Sequence, residues 1–354
     1  MLAQIVVPVH TPERAVRRAV DSVLADPDFG VVVVAHGIDP ADLDLPDDNR
    51  VSAIRVDEGV GYPGVAFNRG FDATTAEWIG ILGSDDWFEP GALRKMLDHA
   101  IKDQASGVVA PLRHAAAERN NGLPKTWRRK RLQGRRDHLF WRTSPLGLYR
   151  RDLLLQEKHR FDETVHAGVD QLNSVLLWSS GSSFSFYPGD PAYVVGDDAP
   201  QRVSAVARPL ADHASSWRAV WEDPNVASLP LADRRLLAQR MLTVHVFSVI
   251  RGRPRDFEWS QQDRDWVASL MTLMADKAPG FDAQLPLSKK RAFDAAKEGD
   301  LSEVGEVLRN ASYIENRLPS SVHSLLDPHF WLYRKPSDWV CTARRMIDEK
   351  SWVV

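Results

Sequence analysis

The chain holds one cysteine, Cys341, among 354 residues. A single thiol excludes an internal disulfide framework and a thiolate zinc cluster, and it suits a reducing compartment. Cys341 reads as a buried, inert thiol. Long apolar runs are lacking as well, since no stretch reaches the roughly 18 uninterrupted apolar residues of a membrane span. The opening MLAQIVVPVH carries no basic leader. The expectation is a cytoplasmic protein without a membrane span. Neither sign of charge dominates: 45 Lys and Arg against 48 Asp and Glu leave −3. That mean removes the electrostatic case for blanket adhesion to nucleic acid or acidic membranes. Repeats of constant period and low-complexity linkers are absent too. At 44% hydrophobic and 26% charged, the composition is globular, and the length suits two domains or one large domain with an appendage.

What is present is an alternation of strands and helices. QIVVPV (4–9) reads as a buried strand, and Thr11-Pro12-Glu13 supply an N-cap, a first-turn proline and an early acid for a helix over ERAVRRAVDSVLAD. GVVVVAHG (30–37) is continuous and β-branched, as expected of a strand covered on both faces, and VSAIRV (51–56) repeats the pattern. EGVGYPG (58–64) leads into a helix to about Thr75, followed by strand EWIGIL (77–82), helix 90–103 and strand GVVAPL (107–112). The order predicts an α/β domain with a mostly parallel sheet, whose ligands sit at the carboxyl ends of the strands. From 113 to about 151 the chain turns polar and basic. Helices near 152–158 and 168–180 and the short strands SFSFYP and AYVVGD follow. Beyond about 205 the periodicity is helical, as in RRLLAQRMLTVHVFSVI and SKKRAFDAAKEGDLSEVGEVLRN. The expected division is 1–205 α/β and 206–354 helical, with the helices packing on the first domain, lining an acceptor groove or joining a homo-oligomer.

The segment IGILGSDDWFEPGAL (79–93) runs an apolar strand into Ser84, Asp85 and Asp86. Adjacent carboxylates at such a strand end can hold a hard divalent cation that bridges a diphosphate. Asp86 and Glu89 can equally cap the helix starting near Pro90. His10 and His36 lie at strand ends facing the same crevice, where either could meet a nucleotide base or rest as a satisfied histidine.

Several segments in order resemble the family 2 glycosyltransferases of the GT-A fold, a Rossmann-like nucleotide-sugar-binding domain. Pro8-Val9-His10-Thr11 and VRRAVDSVL match its opening turn and helix. Ala66-Phe67-Asn68-Arg69-Gly70 matches the stretch before its metal strand, and Gly83-Ser84-Asp85-Asp86-Trp87 with Pro90-Gly91-Ala92-Leu93 matches the metal motif. Phe161-Asp162-Glu163 and Gly168-Val169-Asp170-Gln171-Leu172 match the segment carrying the base. The chain departs from the pattern at Ala35-His36-Gly37-Ile38, where an acid usually binds the nucleobase, and at Gly83 and Phe67. The resemblance implies a metal-dependent inverting hexosyltransferase using a nucleoside-diphosphate sugar and Mn²⁺ or Mg²⁺. Asp170 would be the catalytic base, and Asp85, Asp86 and Asp198 the metal ligands. Pro8, His10, His36, Asn68, Arg69, Ser84 and Arg202 would face the sugar nucleotide.

Residues 125–151, KTWRRKRLQGRRDHLFWRTSPLGLYRR, carry ten Lys or Arg against Asp137, a charge of +9, so the remainder carries −12. A basic stretch with interleaved aromatics suits phosphates and ring stacking. It predicts a polyanionic acceptor, such as a cell-wall or lipid-linked glycan, a phospho-polymer or modified DNA, with Trp141, Arg142 and Arg150 as contacts. Two other readings compete: a transferase acting on hydroxylated DNA bases, and a non-catalytic binding protein on a degenerate scaffold.

Overall fold

The computed structural model describes residues 1–115, 128–187, 189–197, 210–312, 315 and 320. Two compact units, Met1–Arg208 and Pro209–Val354, divide the chain. The first begins with β1 (Ala3–Val9), α1 (Val16–Leu24), β2 (Phe29–His36), β3 (Val51–Val56), α2 (Pro63–Ala73) and β4 (Trp78–Ile81). It continues with β5 (Trp87–Phe88), α3 (Ala92–Lys102), β6 (Gly107–Val109), β7 (Leu112–His114) and β8 (Gly147–Arg150). α4 (Arg151–Leu154), α5 (Asp170–Trp178), β9 (Phe184–Phe186) and β10 (Tyr193–Val195) complete its described elements.

Seven strands form the main sheet in the order β3-β2-β1-β4-β8-β6-β9, and only β8 runs against the others. β2 is buried along its whole length, which its continuous apolar run demands of a strand sandwiched between helices. Val16, Ala19, Val20 and Val23 of α1 recur on one helical face and bury it; each valine taken out of water contributes about 2 kcal/mol. Gly70 lets α2 lie against the sheet, because a Cβ there would sit 2.2 Å from Val6 Cγ1. A smaller sheet, β5-β10-β7, stands beside the first.

Three local expectations are revised. α1 starts at Val16 rather than near Glu13, because Thr11-Pro12-Glu13 forms a turn in which the Glu13 N–H donates to Thr11 Oγ1. GVVAPL breaks at Ala110-Pro111 into β6 and β7, which join different sheets. The basic stretch contains β8, hidden by its four-residue length.

The second unit contains α6 (Leu210–Glu222), α7 (Pro224–Ala227), α8 (Leu231–Arg240), α9 (Phe247–Gly252), α10 (Gln261–Lys277), α11 (Leu287–Lys297) and α12 (Leu301–Asn310). A π-helical stretch, Met241–Val246, joins α8 to α9, and Gly299, at φ +77°, separates α11 from α12. Among the described residues no helix is long and apolar enough to cross a membrane.

Candidate active site

β2, β1 and β4 are adjacent and parallel, so their carboxyl ends open at one edge. His36 closes β2, Val9 leads into His10, and Ile81 leads through Leu82 into Gly83-Ser84-Asp85-Asp86. The turn is closed by the Asp86 N–H, which donates to Gly83 O at 3.0 Å. A Cβ at Gly83 would lie 2.5 Å from Asp86 Oδ2 and 3.3 Å from Asp85 Oδ1. Glycine therefore leaves room for both carboxylates to fold back over the turn.

The two aspartates do different work. Asp86 Oδ1 accepts from the Gly196 N–H at 2.8 Å and Oδ2 from the Tyr193 hydroxyl at 2.5 Å. Tyr193 also accepts from the Gly83 N–H at 3.1 Å. Burial, and next the charge of Asp86, push the Tyr193 phenol well above its usual pKa, which keeps it neutral and donating. Asp86 thus clamps β10 to the turn. Asp85 instead meets Arg14, whose Nη1 lies 2.8 Å from Oδ2, with side-chain exposures of 6% for the arginine and 18% for the acid. Its carbonyl accepts from Arg18 Nη2 at 2.5 Å, and the Arg18 guanidinium lies 4.1 Å from the Trp87 ring centre. His10 belongs to the same neighbourhood: partial desolvation, then Arg14 and His36, lower its pKa against the opposing pull of Asp85.

Other sequence-derived residues fall around this edge. Pro8 lies half-buried opposite Val34. Ser84 is buried in the turn, and His36 Nε2 sits 2.9 Å from Glu58 O. Asn68 differs from the expected nucleotide contact. Its Nδ2 donates to Phe161 O at 3.0 Å and Glu163 Oε1 at 2.8 Å, while its Oδ1 accepts from the Phe161 N–H at 3.0 Å. A buried amide spends its hydrogen bonds where it sits, and here they tie α2 to the loop before α5. Arg69 reinforces that tie through Glu58 at 2.5 Å and Glu163 at 3.2 Å.

Asp170 is the first residue of α5. β9 runs parallel to β6, in the direction of β1, and therefore begins at the amino edge of the sheet; α5, ending six residues earlier at Trp178, descends from the carboxyl edge. That topology puts Asp170 on the same edge as Asp85. The intervening loop is held there by Tyr62, stacked on His166 at 4.0 Å, and by Phe67, stacked on Phe161 at 4.6 Å.

The predicted acceptor residues do not gather. Arg142 is buried, its Nη2 donates to Ala110 O, and its own carbonyl accepts from Trp178 Nε1 at 3.0 Å. Desolvation lowers its pKa to about 10. Arg150 pairs with Glu77 and stacks on Trp78 at 4.7 Å; because β8 is antiparallel, it stands at the amino edge, opposite Asp85. Trp141 is half-buried in a 3-10 turn, Leu139–Trp141. Asp198, Arg202, Lys125, Trp127 and Cys341 lie outside the described residues, and Asp197 is exposed.

Residues 4–156 match the model of glycosyl transferase family 2. Over that segment the N-terminal unit is similar to glycosyl transferase family 2. Among curated proteins it is similar to the succinoglycan biosynthesis protein ExoO of Rhizobium meliloti (strain 1021), 29% identical over 188 residues. That match covers 47% of this chain and 53% of ExoO, so the chain spans about half the length of the curated relative it matches. The S. aureus protein TarS 1–349, solved with UDP-GlcNAc, superposes with a TM-score of 0.71 at 16% identity, covering 88% of this chain and 93% of TarS 1–349. Its complex with UDP gives 0.68 at 17% identity over the same shares. At such identities the likeness is one of fold.

Within this unit, three residues of the edge were not singled out in the sequence. Arg18 lies in the first turn of α1 and Arg14 in the bend just before the helix, and both reach Asp85 in the turn after β4. Their only signal in the sequence was proximity to the end of the first strand. Tyr193 had none, since its partner Asp86 lies 107 residues earlier.

Proposed function

We propose that the protein is an inverting glycosyltransferase that moves a sugar from a nucleoside-diphosphate sugar to a hydroxyl of a polyanionic glycan. The observation that carries this reading is the juxtaposition of Arg14 and Asp85 between the ends of β1 and β4, in a family 2 domain whose α5 starts with Asp170 at the same edge. The acceptor oxygen attacks the anomeric carbon, Asp170 takes its proton, and the glycosidic bond to the diphosphate breaks with inversion. Charge then grows on the departing diphosphate. Arg14 and Arg18, held in place before the reaction, supply fork-shaped donors to that charge. UDP-sugars are the first donors to test, by likeness to the UDP-GlcNAc complex of TarS.

A Mn²⁺ or Mg²⁺ ion, implied by the family resemblance, would find Asp85 but no cage among the described residues. No three His, Cys, Asp or Glu side chains converge there, and both Asp86 oxygens are engaged. The described donors do not fit the ion by themselves, and no step above passes through it.

The reading is tested by following nucleoside diphosphate release from a panel of sugar nucleotides, with acidic glycans as acceptors, in Mn²⁺ and in chelator. Release that depends on both donor and acceptor is expected. No release and no donor-induced thermal shift under any condition would leave the non-catalytic binding protein as the better reading.

A further inference from the structure

The last turn of α3 and residues 128–131 face each other across an open groove of 690 Å³. Lys102, Arg128, Arg129, Lys130 and Arg131 line it against a single acid, Asp103. The cationic wall is built into the sheet. The Phe186 N–H donates to Arg129 O and the Leu132 N–H to Phe184 O, both at 2.8 Å, so the segment lies antiparallel along the outer side of β9. Leu132 is fully buried, while Lys130 and Arg131 are exposed. Arg128 Nη2 donates to Arg131 O at 2.7 Å and Nη1 stands 3.9 Å from the buried Asp137 carboxylate, which fixes the bend. Lys102 is exposed at the end of α3, which joins β6 at the amino edge. The groove therefore follows the flank of the sheet alongside β9.

Rings are scarce here. The one ring lining the groove among the described residues is His99, stacked on Tyr187 at 5.1 Å. Single-stranded nucleic acid is held by open aromatic platforms as well as cations, so a cationic groove without such a platform favours a polyanion held through its charge.

We propose that this groove is a binding site for an extended, base-free polyanion, a glycan carrying repeated phosphodiester or carboxylate groups. Its purpose as an acceptor track rests on the transferase reading above; its binding chemistry does not. The test is fluorescence anisotropy of labelled inorganic polyphosphate and polygalacturonate with the full chain, without sugar nucleotide, across a salt series. Replacing Lys102, Lys130 and Arg131 together by Gln should weaken binding about tenfold or more at low salt and reduce the slope of log K against log salt by about 2. Lys102→Glu alone, at an exposed helix end, should weaken binding about threefold or more, which keeps the test decisive if the triple variant folds poorly. Polyphosphate binding alone assigns phosphate-type anions, and polygalacturonate binding extends the site to carboxylates. Unchanged binding of both probes by the variants, or tighter binding of single-stranded DNA of equal charge, overturns the proposal. Binding that depends on these cations in a chain that transfers no sugar would overturn the transferase reading and leave the groove standing.

Discussion

The two edges of the main sheet use the same ion pairs to different ends. At the amino edge, Arg94 holds Asp26 at 2.7 Å and Asp28 at 2.5 Å, with exposures of 34%, 22% and 50%. Arg50 holds Asp48 nearby, and Arg150 holds Glu77. Water reaches these pairs, and they bind one connection to the next. At the carboxyl edge, Arg14 and Asp85 are much less exposed, and Asp85 is also held through its carbonyl by Arg18. Charges taken that far out of water are costly to leave unpaired, and a ligand anion offers the arginines another partner. The carboxyl edge has exposed staples as well, such as Arg69–Glu58 at 38% and 59%, so burial singles out the Arg14–Asp85 pair as the one proposed to meet a substrate.

The strongest break in this contrast comes from the acid that has no role at the amino edge. Asp170→Asn keeps the shape of the first turn of α5 and removes the proposed base. Turnover should fall by about 10²–10⁴-fold while the melting temperature changes little. Nucleoside diphosphate release measures it, and a variant within a few-fold of wild type would transfer the base role elsewhere.

Arg14→Ala is next, with a loss in kcat/KM of about 10²-fold expected from removing the donor proposed for the diphosphate. It also strands Asp85, so stability should drop by about 2–3 kcal/mol in urea unfolding. Adding Asp85→Asn should recover most of that stability without restoring transfer. Recovery of both would reduce the pair to a staple like those at the opposite edge.

Tyr193→Phe separates the clamp from the chemistry. The Asp86 carboxylate and the Gly83 N–H each lose a buried partner, which costs about 1–3 kcal/mol. Donor affinity should weaken in step with the loosened turn, read as a rise in KM larger than the fall in kcat.

The division between the edges was only half legible in the sequence. β1, β2 and β3 stood out because runs such as Val31-Val32-Val33-Val34 have no other stable place than a covered strand. Asp85 followed from its position after such a strand. Asp86 looked equivalent and is not, because the Tyr193 and Gly196 bonds that occupy it come from the other end of the domain. Arg142 and Arg150 looked like surface cations for the same reason: charge counts along a segment carry no sign of burial or of strand direction. One of them proved to be inside the fold and the other at the wrong end of an antiparallel strand.

The smallest effect is expected where the two edges are most alike on paper. Arg94 is a fork-shaped donor to two carboxylates, and its pKa is raised first by the hydrogen bond to Asp26 and then by that to Asp28. Its fork reaches both Asp26 and Asp28, and Arg14 pairs with Asp85 at 2.8 Å. Even so, Arg94→Gln should cost no more than about 1 kcal/mol, because the group and both acids stay in contact with water when the pair is broken. Added salt should shrink that cost further, and transfer by the variant should match wild type. A loss of several kcal/mol, or of turnover, would mean that burial does not divide the two edges and that the Arg14–Asp85 pair owes its role to something other than its removal from solvent.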